Sequence, residues 1–203
     1  MAVRLRRAEQ VERNRESVLE AARQVFIRRG YAGASLEAIA DEAGFSKGVV
    51  YSQFGSKPDL FMVLLERRIE ERAAQNERIA EQFVGAEALR GLVDAAREDA
   101  VANPGWPHLL TEFRALAMRD PELNRRYAEA HSRAVDSLAA VYDRLYHGSG
   151  LTPAVPARSL AEFFLGTTAG VALERAANPN ALPASDLERL TARILGLPEA
   201  GAP

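Results

Sequence analysis

The chain has 203 residues, enough for one compact domain or for a small domain joined to a larger one. Hydrophobic residues make up 47% and charged residues 27%, a composition that excludes global disorder. The net charge is only −2, but residues 1–60 hold ten basic against eight acidic side chains and the remainder is acidic. The mildly basic segment 1–60 indicates where a polyanion could dock, although a solvated helix face would explain the same charges.

The chain contains no cysteine, which excludes disulfides and thiol chemistry and fits a reducing compartment. No apolar segment follows the basic N-terminus, and no apolar run approaches the ~20 residues of a membrane span. We therefore expect a cytoplasmic protein that does not contact a membrane. The three histidines are far apart in sequence, so we expect no bound metal and no cofactor.

Apolar residues recur at helical spacing along the whole chain, which predicts an all-α fold of about nine helices without a sheet. The first predicted helix ends near Gly30–Gly33, and a second, short helix carries Leu36, Ile39 and Ala40. A third covers about 46–54, and a long fourth starts after Ser56. The later helices are predicted at about 86–102, 107–119, 121–146, 156–177 and 184–195.

The segment from Ser35 to Lys57, SLEAIADEAGFSKGVVYSQFGSK, carries signals for two short helices joined by a tight turn. The Ser35 hydroxyl can cap the second helix, and Ser46 can cap the third. Gly44 can adopt the left-handed conformation that a sharp reversal needs. Two short helices on either side of a glycine turn form a helix-turn-helix unit.

The third helix mixes small and hydrogen-bonding side chains and lacks the acidic residues of an ordinary surface helix. Such side chains suit a close approach to the major groove, whose base edges offer donors, acceptors and thymine methyl groups. A short connecting helix is the alternative. The candidate residues for base readout are Lys47, Gly48, Val49, Ser52 and Gln53, and Ser46 at the helix start is a further candidate DNA-binding residue.

Lys57 lies in the first turn of the fourth helix, where a cation opposes the helix dipole. Ser56 is the predicted N-cap of this helix, and Asp59 stands at the capping-box position. A DNA phosphate that docks at this helix N-terminus would give the cation a favourable partner, so Lys57 is a candidate phosphate contact. Ser35 and Tyr51 are further candidate phosphate donors. A basic arm that adds non-specific, salt-sensitive attraction is formed by Arg4, Arg6 and Arg7.

Two stretches, LEAARQVFIRRGYAGASLEAIADEAG and FSKGVVYSQFGSKPDLF, resemble the DNA-binding domain of the tetracycline-repressor (TetR) family. The resemblance covers about 50 residues and includes the aromatic–glycine end of the first helix. Two positions depart from the common pattern, Gln53 where the family often has histidine and Pro58 where it often has glutamate. Gln53 could read adenine or could touch only the DNA backbone.

The resemblance implies an all-α homodimer with a helix-turn-helix DNA-binding domain over 1–60 and a helical effector-binding and dimerisation domain over 61–203. Members are mostly repressors, released from palindromic operators in double-stranded DNA when a small-molecule effector binds. We therefore expect a sequence-specific transcriptional regulator that is not an enzyme. The sequence leaves open the operator, the effector, the regulated genes and the choice between repressor and activator.

Two sets of residues in the body are assigned mainly through this resemblance. The predicted dimer interface consists of Leu160, Phe163, Phe164, Thr167, Val171, Leu187, Leu190 and Ile194. The candidate residues for an effector pocket are Trp106, His108, Glu112, Phe113, Tyr127, His131 and Tyr142. Apolar residues that recur along one face of a helix, and aromatic residues at helical spacing, are also typical of a chain's own core.

Two other functional classes remain as alternatives. An all-α enzyme could use Glu112 with a nearby histidine in acid–base chemistry, but the sequence has no phosphate-binding glycine loop, metal motif or nucleophile elbow. A helical adaptor for protein partners would tolerate alanine at Tyr51 and Lys57. A DNA-binding regulator would lose affinity for DNA in both variants.

Overall fold

The computed structural model of the chain describes the backbone of residues 2–147 and 149–197, and the side chains of residues 9–147 and 149–197. Over these ranges it contains nine helices and no strand, so the predicted all-α fold is confirmed. None of the helices within the described ranges is both long and apolar enough to cross a membrane. The helices are α1 (Ala2–Gly33), α2 (Leu36–Ala43), α3 (Lys47–Phe54), α4 (Lys57–Gln82), α5 (Gly85–Ala102), α6 (Trp106–Ala117), α7 (Pro121–Tyr146), α8 (Ala157–Ala177) and α9 (Ala184–Ile194).

The chain divides into two compact units that do not follow the order of the sequence. The first unit comprises the residues up to Arg68 together with Leu109–Tyr127. The second comprises Ile69–His108 and the residues from Ala128 onward. The helix-turn-helix segment therefore belongs to a unit that also includes most of α6 and the first residues of α7.

The first unit is built on a cluster of aromatic rings contributed by α1, α4, α6 and α7. The rings of Phe61 and Phe113 stack with their centroids 4.1 Å apart, and both side chains are fully buried. Tyr31 packs edge-on against both rings, at 5.4 Å and 5.1 Å. Phe26 and Tyr127 extend the cluster at either side. Edge-to-face and offset contacts of this kind add to the energy of apolar burial.

The predicted break after the first helix appears in the structure as a kink within α1. Gly30 adopts φ 70° and ψ 170°, a conformation that only glycine visits readily. The Glu112 carboxylate on α6 accepts the backbone N–H of Tyr31, the residue that follows the kink, at 2.8 Å. The kink thereby turns the end of α1 toward α6 within the same unit.

The second unit has a separate core formed by α5, α7, α8 and the end of α9. Leu89, Leu160 and Leu195 are fully buried in it. The Tyr146 hydroxyl donates a hydrogen bond of 2.9 Å to the Leu195 carbonyl oxygen, which ties the residue after α9 to α7. Such a buried bond satisfies two polar groups that would otherwise destabilise the core.

The two helices predicted to form a dimer interface bury only part of their apolar residues against the described chain. Leu160, one of the predicted interface residues, has no exposed surface because it packs inside the core of its own unit. Phe163 and Leu190 are about half exposed, at 47% and 51%. The other predicted interface residues are half-buried, namely Phe164, Thr167, Val171, Leu187 and Ile194.

Candidate nucleic-acid interface

The turn between α2 and α3 has the caps that the sequence predicts. The Ser35 hydroxyl accepts the Ala38 N–H at 3.1 Å and caps α2. Gly44 adopts a left-handed conformation with φ 71° and ψ 26°, and its N–H bonds back to carbonyl oxygens of α2. α1 packs against α2 and α2 packs against α3, as a helix-turn-helix unit requires.

One face of α3 packs inward and the opposite face is open to solvent. Val50 and Phe54 are buried, and the Arg15 guanidinium of α1 lies 4.9 Å from the centroid of the Phe54 ring. Val49 and Gln53 are half-buried at the edges of the helix. The exposed residues at the start and along the outer face are Ser46, Lys47, Gly48, Tyr51 and Ser52. The outer face therefore presents an ammonium, hydroxyls and an aromatic ring, and no carboxylate of α3 itself.

The surroundings of three polar side chains in this segment differ from what the sequence indicates. Ser46 is the N-cap residue of α3, but its hydroxyl makes no capping hydrogen bond, which corrects the predicted cap. The Ser52 hydroxyl donates to the Val49 carbonyl oxygen at 2.9 Å. The Gln53 side-chain oxygen is buried and has no hydrogen-bond partner among the described residues. Half of the Gln53 amide thus faces the protein.

Lys47, the first residue of α3, is held by two neighbours. Its ammonium forms an ion pair with the Glu37 carboxylate of α2 and lies 5.2 Å from the centroid of the Tyr51 ring. The hydrogen bond between Lys47 and Glu37 raises the pKa of the lysine and lowers the pKa of the glutamate. No spacing rule signals this pair, because the residues are ten positions apart on different helices.

Lys57 contacts the end of α1 in addition to standing at the N-terminus of α4. Its ammonium donates to the carbonyl oxygens of Tyr31 at 2.9 Å and Ala34 at 3.0 Å, with a longer contact of 3.5 Å to that of Ala32. The same nitrogen lies 4.6 Å from the centroid of the Tyr31 ring. Partial burial lowers the pKa of Lys57. A cation at the carbonyl end of a helix is favourable, which gives Lys57 a structural role that the sequence did not reveal.

The start of α4 is closed by the capping box that the sequence predicts. The Asp59 N–H donates to the Ser56 hydroxyl at 3.2 Å, and that hydroxyl donates to the Asp59 carboxylate. The other carboxylate oxygen accepts a hydrogen bond of 2.7 Å from Arg126 of α7. The hydrogen bond from Ser56, reinforced by Arg126, lowers the pKa of Asp59. Asp59 was expected only as a cap, and its pairing with Arg126 depends on tertiary packing.

The basic arm of Arg4, Arg6 and Arg7 lies outside the residues whose side chains are described. Its backbone belongs to α1, which begins at Ala2. The attraction to DNA predicted for these arginines therefore stays a prediction.

The residues predicted to line an effector pocket fall into both compact units. In the first unit, Phe113 and Tyr127 are buried in the aromatic cluster and Glu112 accepts the Tyr31 N–H. In the second unit, Tyr142 is buried in the hydrophobic core. Trp106 is buried as well. The remaining two candidates, His108 and His131, are half-buried.

Titratable side chains do not gather into a candidate metal centre in the described part of the chain. No group of three or more histidine, aspartate or glutamate side chains there could hold an ion. Glu112, the residue considered for acid–base chemistry, is engaged by a backbone N–H. The arrangement that remains is an exposed helix face with no carboxylate of its own, beside a capped turn, which can contact a polyanion.

Two family models match the chain and together cover most of it. Residues 18–63 match bacterial regulatory proteins of the tetR family. Residues 85–196 match the C-terminal domain of BetI-type transcriptional repressors. The first match contains the helix-turn-helix segment, and the second extends over α5 to α9.

Individual proteins show the same likeness. The HTH-type transcriptional repressor AcnR of Corynebacterium diphtheriae is 31% identical over 140 residues, which are 68% of this chain and 66% of that repressor. A TetR-family regulator from Agrobacterium tumefaciens shares the fold with a TM-score of 0.72 and 22% identity, over 91% of this chain and 99% of that one. FadR from Bacillus subtilis, solved in complex with stearoyl-CoA, gives a TM-score of 0.64 at 19% identity, over 89% and 95%. Since the C-terminal family model alone matches more than half of the residues, the chain belongs to the TetR family of bacterial transcriptional regulators.

Proposed function

We propose that the protein is a repressor that binds a palindromic operator as a homodimer and is released by a small-molecule effector. The observation that carries the DNA-binding part is the exposed face of α3, which offers hydrogen-bonding groups and one cation and contributes no carboxylate. In a helix-turn-helix protein this second helix enters the major groove. Residues 1–60 would form the DNA-binding domain, and 61–203 the effector-binding and dimerisation domain.

Base readout is assigned to residues of α3 from Lys47 to Ser52. The Lys47 ammonium can donate to guanine O6 or N7, and the Ser52 hydroxyl can pair with several base edges. Gly48 has no side chain, so DNA can approach the helix backbone closely there. The space that a Cβ atom would occupy is open, with the Ser46 hydroxyl 4.0 Å away. Val49 can contact a thymine methyl group. Gln53 is a further candidate, for base readout or for a contact with the DNA backbone, and half of its amide faces the protein.

Phosphate contacts are assigned to groups around this face and set the register of the helix. Tyr51 is 41% exposed and can donate its phenolic proton to a phosphate. Lys57 makes two short bonds, to the carbonyl oxygens of Tyr31 in α1 and of Ala34 just after it, whereas its third contact is 3.5 Å long, so one proton can turn to a phosphate. The Ser35 hydroxyl caps α2 and can donate its own proton as well. The arginine arm adds non-specific attraction.

Dimerisation is assigned to the uncovered faces of α8 and α9. Phe163, Leu173 and Leu190 are each about half exposed, and none of the residues Ala184–Ile194 is buried against the described chain. A Cβ atom added at Gly166 or Gly170 would meet no atom within 4 Å, so another helix can approach closely there. Two such helices from each subunit would form a four-helix bundle.

The effector would bind in the body of the protein and release the dimer from its operator. The support for this step is that a protein of the same fold, FadR from Bacillus subtilis, was solved in complex with stearoyl-CoA. Of the candidate pocket residues, His108 and His131 are half-buried and Glu112 is exposed, whereas the other four are buried. An effector would act by favouring a dimer whose two recognition helices no longer fit successive major grooves, which lie ~34 Å apart. Unchanged spacing of the two α3 helices in structures with and without an effector would contradict this step.

Selection from random duplex DNA at moderate salt tests the DNA-binding part of the proposal. We expect enrichment of one motif with two-fold symmetry, because a symmetric dimer presents two identical α3 helices. Retention that falls uniformly with salt, without enrichment of any motif, would mean non-specific attraction only. A helical adaptor for protein partners would then be the better interpretation. Placing the selected motif upstream of a reporter gene separates repression from activation.

A further inference from the structure

We propose that Glu37 determines specificity by acting on Lys47: its carboxylate prevents the lysine from serving as a free phosphate-binding cation and favours operators with a G·C pair beneath the start of α3. The proposal rests on the assignment of α3 as the recognition helix. It adds a residue of α2 that is not itself part of the recognition helix, and it names the base pair that the Glu37–Lys47 pair would read.

The geometry of the pair is set by the turn between the two helices. Glu37 lies in the first turn of α2 and Lys47 is the first residue of α3, and the two side chains meet in an ion pair. The ring of Tyr51 lies 5.2 Å from the same ammonium. The flexible Lys47 side chain at the start of the recognition helix is thus held between a carboxylate of α2 and an aromatic ring of α3.

The pair matters for binding more than for folding. The side chains of Lys47 and Glu37 are 57% and 47% exposed. Ion pairs so accessible to water contribute little to stability, because solvent screens the attraction and both side chains lose conformational freedom. Their exposure at the start of α3 puts both charges where DNA would dock. The DNA groups that replace the water around these two charges therefore determine whether the pair strengthens or weakens binding.

Unselected DNA is disfavoured by this arrangement. A lysine that neutralises a phosphate releases counterions and strengthens binding to any sequence. A lysine already neutralised by Glu37 gains less from a phosphate, and the carboxylate itself is repelled by the DNA backbone. The pair therefore lowers the non-specific affinity for DNA of any sequence, and specificity increases because the wrong sequences are disfavoured.

A G·C base pair can satisfy both charges in the major groove. The Lys47 ammonium has three protons, so it can keep one on Glu37 and donate another to guanine O6 or N7. Cytosine presents an N4 amino group that donates to a carboxylate. No other base pair offers strong acceptors and this donor in the same arrangement. An A·T pair also offers acceptors and a donor, but its adenine N6 donor lies between the two acceptors, so the two charges would not meet their partners in the same order.

Glu37→Gln tests the proposal, with Asp41→Asn as the matched control. Both changes remove one negative charge from exposed positions of α2, but only Glu37 is paired with Lys47. Affinities are measured for the selected operator and for a scrambled duplex of equal length, over a range of salt concentrations. We expect Glu37→Gln to raise affinity for scrambled DNA about tenfold at low salt and to lower the operator-to-scrambled ratio by at least that factor. For this variant, the slope of the logarithm of the binding constant against the logarithm of the salt concentration should steepen by about 0.9 per subunit.

A double-mutant cycle shows whether Glu37 acts through Lys47. In a Lys47→Gln background, Glu37→Gln should change the affinity ratio no more than Asp41→Asn does. Equal effects of Glu37→Gln and Asp41→Asn in the wild-type background would overturn the proposal, because only net charge would then matter. A selected operator with no G·C pair at the corresponding position would overturn it as well.

The outcomes also separate this proposal from the one it rests on. A wild-type protein that prefers no duplex over another would contradict both. A wild-type protein that selects an operator, combined with a Glu37→Gln variant of unchanged selectivity, would contradict only the role of Glu37. Thermal unfolding of each variant confirms that the compared proteins are folded.

Discussion

The Glu112 carboxylate accepts the backbone N–H of Tyr31 at 2.8 Å, across 81 positions of the sequence. The bond falls at the residue after Gly30, where α1 departs from helical geometry. An N–H exposed by a kink needs a partner, and a carboxylate is a strong acceptor for it. α6 therefore holds the end of α1 from outside the helix-turn-helix segment. The close approach of the two also explains why residue 30 has no side chain.

Replacing Gly30 by alanine should destabilise the first unit. The substitution forces a side chain into a backbone conformation with φ 70°, and the new Cβ would lie 2.9 Å from both Glu112 carboxylate oxygens. We expect a loss of at least about 1–3 kcal/mol in the free energy of unfolding, measured in urea. Gly33→Ala is the control, because its Cβ would make an ordinary 3.6 Å contact with Arg29. A Gly30→Ala protein as stable as Gly33→Ala would show that the kink is not a constraint.

Replacing Lys57 by alanine should affect stability and DNA binding together. The loss of two short bonds to the carbonyl oxygens of Tyr31 and Ala34 should lower the free energy of unfolding by about 1–3 kcal/mol. Loss of a phosphate contact should reduce the magnitude of the salt slope by about 0.9 per subunit, equally for all sequences. Arg67→Ala removes the same charge from α4 and should leave the slope unchanged. A destabilised Lys57→Ala protein with the wild-type slope would confine Lys57 to its structural role.

Two tyrosines should show opposite behaviour when only their hydroxyl groups are removed. Tyr51→Phe should weaken binding to every duplex about tenfold, since a hydrogen bond to a phosphate is lost, and should not change thermal stability because the ring is exposed. Tyr146→Phe leaves the buried Leu195 carbonyl without its donor. It should lower the free energy of unfolding by about 1–3 kcal/mol and leave DNA affinity unchanged in the folded protein. The same effect of both changes on DNA binding would contradict the assignment of Tyr51.

Charged residues on the exposed faces of α8 and α9 should separate the subunits. Phe163 and Leu190 are about half exposed in the single chain, so changing both to aspartate should leave the monomer folded. In a dimer the same change would bury two unpaired charges in each subunit's interface and should prevent association. We expect a monomer in analytical ultracentrifugation and a large loss of affinity for the operator. Val101→Asp alters a residue of α5 that is 77% exposed and should leave the assembly intact. If the double variant remains dimeric, the interface lies elsewhere.

Much of the local structure could be predicted because it depends on neighbouring residues. Ser35 caps α2, Gly44 turns the chain and Ser56 with Asp59 closes the start of α4, all as predicted. Each of these features depends on the conformational preference of a residue or on a hydrogen bond across three positions. The number and class of the helices followed from the 3.6-residue periodicity in the same way.

Helical spacing does not say which partner a side chain finds. Helical spacing put Leu160 on the same stripe as Phe163, yet Leu160 is fully buried in its own chain and Phe163 is about half exposed. Periodicity identifies an apolar face without saying what covers it. Ser46 stands at the N-cap of α3 without the expected hydrogen bond, because an N-cap position requires only a backbone conformation.

The sequence by itself determined the helices, their ends and the presence of a helix-turn-helix unit, since these follow from interactions over a few residues. The tertiary structure alone decided that Glu37 meets Lys47, that Lys57 binds carbonyl oxygens of α1 and that Glu112 reaches Tyr31. Those pairs join different helices over 10 to 81 positions, and their distances depend on how the helices pack and on the conformations of two glycines. No repeat or spacing in a single sequence encodes such distances, because many packings satisfy the same apolar pattern.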